Sequence, residues 1–225
     1  MQYDLIVIGA GPGGYVAAIR AAQLGLKTAV AEHAEVGGTC LNRGCIPTKT
    51  LMHSANLYRE IGEAGKMGVN VTGAEADFKA MHARKAQVVE QLRGGVAQLL
   101  KGNGIDVLEG EAAFVSPESI TVGGETYTAR NFIIATGSKP AVPPIPGADL
   151  PNVVTSDEML DTDSCDYKEL VIIGGGVIGV EMAGVYNGIG RKVTIIEALD
   201  RILANMDREI SQNLSMILKK SRRCG

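Results

Sequence analysis

Cys40 and Cys45 have four residues between them in Gly37-Gly38-Thr39-Cys40-Leu41-Asn42-Arg43-Gly44-Cys45-Ile46-Pro47-Thr48-Lys49. A disulfide needs its two Cα atoms within ~7 Å. Five residues of regular helix already rise ~7.5 Å. A Cys40–Cys45 bridge therefore requires a distorted first turn. Gly44 permits the distortion, and Pro47 suits a first turn because the N–H it lacks would have no partner there. A helix N-terminus also stabilises a thiolate. The residues describe a close thiol pair at the electropositive end of a helix, which is redox chemistry. Two alternatives stay open at this level: a pair of buried reduced cysteines, or half of a zinc site. Zinc would want a second Cys/His pair at short spacing, and the sequence has none. Cys165 and Cys224 have no motif around them and read as incidental. His33, His53 and His82 are isolated and receive no role.

Composition sets bounds on everything else. A chain of 225 residues suggests one to two domains. Glycine is abundant, at 29 residues, which suits a backbone that approaches a ligand closely at several turns. The net charge of −3 gives no electrostatic case for nucleic acid or an anionic membrane. The apolar start, Leu5 to Val30, lacks a basic leader and is broken by glycines and Arg20, so it does not read as a signal sequence. No run is long enough to span a bilayer. Four cysteines in such a chain point to catalysis or metal rather than scaffolding, and the expected setting is cytoplasmic.

The elements that would position the cysteines begin with Tyr3–Ile8, a short apolar run expected of a buried parallel strand. It leads into Gly9-Ala10-Gly11-Pro12-Gly13-Gly14, a G-x-G-x-x-G through Gly9, Gly11 and Gly14. A helix over Tyr15–Leu24 and a strand over Thr28–Ala31 follow, ending at Glu32. Strand, glycine turn, helix and an acid about 20 residues on make a dinucleotide fingerprint. The glycines let a pyrophosphate reach the backbone, the helix N-terminus attracts its charge, and Glu32 would accept bonds from ribose hydroxyls. After the cysteines, Thr48–Glu63 reads as a helix with Leu51, Ala55 and Tyr58 on one face. Asp77 caps a long amphipathic helix over Phe78–Lys101.

From Ile105 the pattern changes to short strands: Ile105–Glu109, Ala112–Val115, Ile120–Val122 and Thr126–Thr128, with Gly123-Gly124 as a hairpin turn. Phe132–Ala135 reads as a further buried strand ending in Thr136-Gly137-Ser138, small residues at the sheet edge where α/β folds bind ligands. Prolines between Pro140 and Pro151 mark a stiff connection and a domain boundary. Then Glu169–Ile173, Gly174-Gly175-Gly176-Val177-Ile178-Gly179, a helix towards Gly190, and Lys192–Ile196 ending at Glu197 repeat the whole pattern. Glu197 can bond a ribose 2′-OH and would repel a 2′-phosphate, so NAD is favoured over NADP. On this reading Glu197→Ala narrows the preference. An amphipathic helix over Asp207–Lys220 precedes a basic end containing Arg222 and Arg223.

The order is nucleotide fingerprint, dithiol, Ala-Thr-Gly strand end, second fingerprint. It resembles the class I pyridine nucleotide–disulfide oxidoreductases, from residue 1 to about 220. Within them Gly37–Lys49 looks most like the dihydrolipoamide-oxidising branch, since glutathione and mercuric reductases tend to have Val where this chain has Leu41 and Ile46. The resemblance implies an α/β fold. An FAD/NAD(P)-binding Rossmann-like domain, a parallel sheet with helices plus a small antiparallel β-meander, would occupy residues 1–145. The first βαβ unit of a second Rossmann-like domain would occupy 146–225. It implies FAD along Gly9, Gly11, Gly14, Glu32, Thr39, Lys49, Thr136 and Gly137, with adenine near Ala112, and NAD along Gly174, Gly176, Gly179 and Glu197. Cys40 would meet the dithiol substrate, and Cys45 would be the charge-transfer thiol against the flavin. Lys49 would pair with Glu181 near the flavin. No metal is implied.

The implied partner is dihydrolipoamide, free or on the lipoyl domain of a 2-oxo acid dehydrogenase or glycine cleavage complex. Full-length relatives are homodimers roughly twice as long. Their C-terminal dimerisation domain, with its His-Glu base, and a later Gly-Asp flavin segment are expected to be missing here, so the chain is read as a fragment with at most a trace of turnover. Two other readings differ in observable ways. A disulfide-exchange protein without flavin would be colourless, and a non-catalytic flavin or nucleotide-binding module would show no change in thiol count on mild reduction.

Overall fold

The computed structural model describes residues 2–220. They fall into two compact units, the first comprising residues up to Pro47 with Ala86–Asp157, the second Thr48–Lys85 with the chain from Glu158 onward.

The first unit is built on a six-stranded sheet. Its strands are β1 (Gln2–Ile8), β2 (Thr28–Glu32), β3 (Asp106–Glu109), β4 (Ala112–Ser116), β5 (Ser119–Val122) and β6 (Glu125–Ile134), in the order β3-β2-β1-β6-β5-β4. Neighbours of β1 and β2 are parallel, and β4, β5 and β6 form an antiparallel meander. β1 and β2 are apolar without alternation because both sheet faces are covered. Leu5, Val7 and Val30 pack with Ala18, Val89, Val96 and Leu100 on one face. Ile6, Ile8, Ala29 and Ala31 pack with Leu108, Ile120 and Val122 on the other. The helical cover comes from α1 (Pro12–Gln23) and the later part of a long helix, Phe78–Gly102.

The sequence suggested two strands over residues 126–135; the structure has one. β6 pairs antiparallel with β5 through Glu125–Thr128, then runs on beside β1, parallel, from Thr128 to Ile134. Ala129, Arg130 and Asn131 have weak strand preference, and pairing with β1 overrides it. The meander turn is as expected: Gly123 and Gly124 both have positive φ, +57° and +88°, as a two-residue hairpin requires.

The second unit holds two parallel strands, β7 (Glu169–Ile173) and β8 (Lys192–Ile196), joined by a helix over Val177–Gly188. This is one βαβ unit. A cysteine-bearing helix, Cys45–Glu63, enters this unit from Thr48, and a Cβ at Gly188 would come 2.9 Å from that of Ala55. In chain order the helices are α1, α2 (Gly38–Arg43), α3 (Cys45–Glu63), α4 (Phe78–Gly102), α5 (Ser156–Asp161), α6 (Val177–Gly188) and α7 (Arg208–Lys220). α2 and α5 are six residues each and were not anticipated; such short helices carry too few residues for a periodic signal. Asp77 caps α4 as expected, accepting the Ala80 N–H at 2.9 Å. Cys165 is core: its carbonyl accepts the Tyr186 hydroxyl at 2.6 Å, and burial pushes that phenol's pKa well above its usual value. Cys224, Arg222 and Arg223 lie outside the described residues.

Candidate functional site: a glycine cradle, a cysteine pair and a second glycine loop

Gly9 has φ +101°, and a Cβ there would collide with the Ala135 carbonyl; a Cβ on Gly14 would collide with the Gly9 carbonyl oxygen. Only glycine lets β1 turn this tightly and lets α1 start against the turn. A third close approach was not legible. Gly38, at φ +59°, lies so near that its Cβ would be 2.6 Å from the Gly11 Cα. Gly9, Gly11 and Gly14 are therefore joined by Gly38 on one side and the Ala135-Thr136 chain on the other. Gly11 precedes Pro12 at the start of α1 and gives it no side-chain cap. The N-terminal end of that helix is thus left without a side-chain cap, the arrangement that suits an anion.

Glu32 is buried, and its carboxylate is engaged by backbone. One oxygen accepts Ala10 N–H at 2.8 Å, and the other accepts the N–H groups of His33 and Ala34, each at 2.9 Å. Its carbonyl accepts Gly110 N–H at 2.8 Å, which ties the turn before Ala112 to the end of β2. Thr39 donates its hydroxyl to Ser138 O at 3.3 Å, drawing the start of α2 to the chain that follows Thr136 and Gly137.

Cys40 lies in α2, and Cys45 is the first residue of α3. The expected distortion is a break between two helices at Gly44, whose φ and ψ are −145° and −111°. A Cβ there would come 2.9 Å from the Thr39 carbonyl, so α2 and α3 can turn this closely only over glycine. Cys40 is half-buried and Cys45 exposed. Asn42, between them, was not singled out by sequence. Its amide donates to Val36 O at 3.1 Å and Gly38 O at 3.0 Å, and its oxygen accepts Arg93 Nε at 2.9 Å. Arg43 adds an ion pair with Glu35 at 3.2 Å. These bonds fix the short helix that carries Cys40. Among the described residues, no three His, Cys, Asp or Glu side chains gather as a metal site.

In the second unit Lys49 and Glu181 form a 2.6 Å ion pair, the carboxylate being the more buried partner. The second glycine loop repeats the first. Gly174 has φ +109°, Gly176 opens α6 with φ −72° and ψ 179° against −72° and −177° for Gly11, and a Cβ on Gly179 would collide with the Gly174 carbonyl. Glu197 accepts Gly175 N–H at 2.7 Å and Leu199 N–H at 2.9 Å, and these backbone bonds hold its carboxyl below the usual range.

Comparison with known proteins places the chain in a family. The family described as pyridine nucleotide-disulphide oxidoreductase matches residues 3–222. A dihydrolipoyl dehydrogenase of Acholeplasma laidlawii is 48% identical over 97% of this chain and 66% of its own length. One of Thermus scotoductus is also 48% identical, over 97% of this chain and 47% of its own. The HOCl-induced flavoprotein disulfide reductase RclA of Escherichia coli, solved as its Cu(II) complex, superposes with a TM-score of 0.84 at 35% identity, over 98% of this chain and 48% of that one. The chain thus spans between about half and two thirds of the length of these relatives. With its two glycine loops, its dithiol and a family match over almost all its residues, the chain belongs to the pyridine nucleotide-disulphide oxidoreductases.

Proposed function

We propose that this chain carries the dithiol and dinucleotide machinery of a dihydrolipoyl dehydrogenase, taking electrons from dihydrolipoamide to NAD through a Cys40–Cys45 disulfide and FAD. The observation that carries this reading is the placing of both cysteines around the Gly44 break, directly after the glycine cradle to which Gly38 belongs. In the proposed reaction Cys40 exchanges with the substrate dithiol. Two electrons and two protons leave dihydrolipoamide, which closes to its disulfide, and the Cys40–Cys45 bond opens to two thiols. Bound FAD supplies the relay from a dithiol to a hydride acceptor. NAD accepts two electrons and one proton, and the second proton goes to solvent.

The cradle fits a dinucleotide. Backbone rather than side chain lines Gly9, Gly11 and Gly38, and the start of α1 would face the pyrophosphate. Thr39, Thr136 and Gly137 would hold FAD beside it, with adenine near Ala112 and ribose at Glu32. Lys49, buttressed by Glu181, would sit at the flavin. Gly174, Gly176, Gly179 and Glu197 would take NAD. The division into a flavin domain over 1–145 and a second nucleotide domain over 146–225 belongs to this proposal, as do lipoyl-bearing partner complexes.

Equilibrium dialysis with FAD tests it. The chain should bind FAD and turn yellow, and Gly11→Val, which places a branched side chain in the cradle, should weaken FAD at least tenfold, about 1.4 kcal/mol, with unchanged circular dichroism. A folded chain that binds no FAD would overturn the reading.

A further inference from the structure

Both glycine loops are held in the same way, and only half of the device is visible in sequence. In the first loop the Ala10 N–H is given to Glu32, and the Ala10 carbonyl accepts Gly37 N–H at 2.8 Å. In the second the Gly175 N–H is given to Glu197, and the Gly175 carbonyl accepts Leu203 N–H at 2.8 Å. The middle residue of each G-x-G is thus gripped from both ends, by a carboxylate at the end of the second strand and by a backbone amide a few residues on. The donor of that amide has a left-handed backbone in both cases: Gly37 at φ +97° and Leu203 at φ +51°. Leucine rarely adopts this conformation. Here it is held by the surrounding bonds: Leu203 is buried, its carbonyl accepts Met206 N–H at 2.8 Å, and the adjacent Ile202 carbonyl accepts the hydroxyl of Ser211 at 2.6 Å. Ser211 is 1% exposed and lies on α7. The Ile202 side chain covers Gly175 so closely that a Cβ there would be 2.8 Å away.

We propose that Glu197 and the Leu203 amide form a clamp on the Gly175 peptide that presets the second glycine loop, with Ser211 anchoring the clamp's arm. Glu197 and Ser211 are then positioning residues for dinucleotide affinity. This rests on the reading of that loop as the NAD site, and it changes the expectation for Glu197. If the carboxylate acted only by repelling a 2′-phosphate, its removal would narrow the gap between NADH and NADPH. If it holds the loop, its removal weakens both.

The test uses the full chain and its Glu197→Ala and Ser211→Ala variants, with calorimetric titration of NADH and NADPH and amide hydrogen exchange without nucleotide. Losing a charge-assisted bond should weaken both nucleotides about tenfold or more in Glu197→Ala. Losing a neutral one should weaken both about threefold to tenfold in Ser211→Ala, with the ratio between them preserved. Exchange at Gly175 and Leu203 should rise in both variants. Unchanged exchange at these amides overturns the clamp, as does a Glu197→Ala variant that keeps its NADH affinity and merely gains NADPH. An unmutated chain that binds neither nucleotide refutes the NAD reading; the exchange data then decide the clamp alone.

Discussion

His82 lies on α4 with its ring 4.5 Å from that of Phe78, 4% exposed, and neither ring nitrogen has a hydrogen-bond partner. Burial, with the Lys85 ammonium adding to it and Asp163 opposing, lowers its pKa to about 4. Lys85 is also buried, its ammonium donating to the Leu160 carbonyl, and burial lowers its pKa against the pull of Asp161 and Asp163. An unfolded histidine takes its proton near pH 6.5. Between 6.5 and 4 the unfolded chain therefore binds a proton that the folded one refuses. Stability from this residue is complete above pH 6.5 and falls by up to about 3 kcal/mol as the pH drops to 4. Urea unfolding across this range should show the slope in the unmutated chain and a flatter one in His82→Leu. Equal slopes would contradict the account of His82. This histidine was unremarkable in sequence because its environment is made by residues distant along the chain. Cys40, Cys45 and the six fingerprint glycines were legible because their spacing is local. Asn42, Gly37 and Leu203 were not, since their work is done on backbone groups that only the fold brings near.

At the scale of elements, β7, α6 and β8 appeared where the pattern of apolar run, glycine turn and second run placed them. β6 was misread as two strands because its polar middle imitates a loop. α2 was missed because six residues between two glycines give no helical period. The β7–β8 pair has a physical consequence. Parallel strands normally have both faces covered. Here Leu170 and Ile172 are half-buried, whereas Val171, Ile173 and Ile196 are 60%, 62% and 53% exposed. Exposed branched residues grouped on a two-stranded sheet favour association. Sedimentation of the chain should reveal concentration-dependent self-association, reduced in a Val171→Thr, Ile196→Thr double variant. Association unaffected by these changes would place its origin elsewhere.

At the scale of the molecule, two units carry the same strand–glycine loop–helix–strand–acid design, yet chemistry is distributed unequally between them. The cysteine pair sits in the first and the Lys49–Glu181 ion pair in the second. The duplication was legible in full, because G-x-G-x-x-G and a strand-end acid recur 165 residues apart. The grouping of residues 48–85 with the second unit was not, since helices α3 and α4 carry no signal of which sheet they accompany. The proposed electron transfer depends on Cys40 and Cys45 acting as one two-electron centre. Its most direct test is peptide mapping of the air-oxidised, FAD-loaded chain before and after anaerobic addition of dihydrolipoamide, with alkylation to mark thiols. The prediction is a Cys40–Cys45 linked peptide that one equivalent of dihydrolipoamide converts to two alkylated cysteines. Two alkylated cysteines before any dihydrolipoamide is added, or a linked peptide that it leaves intact, would contradict it.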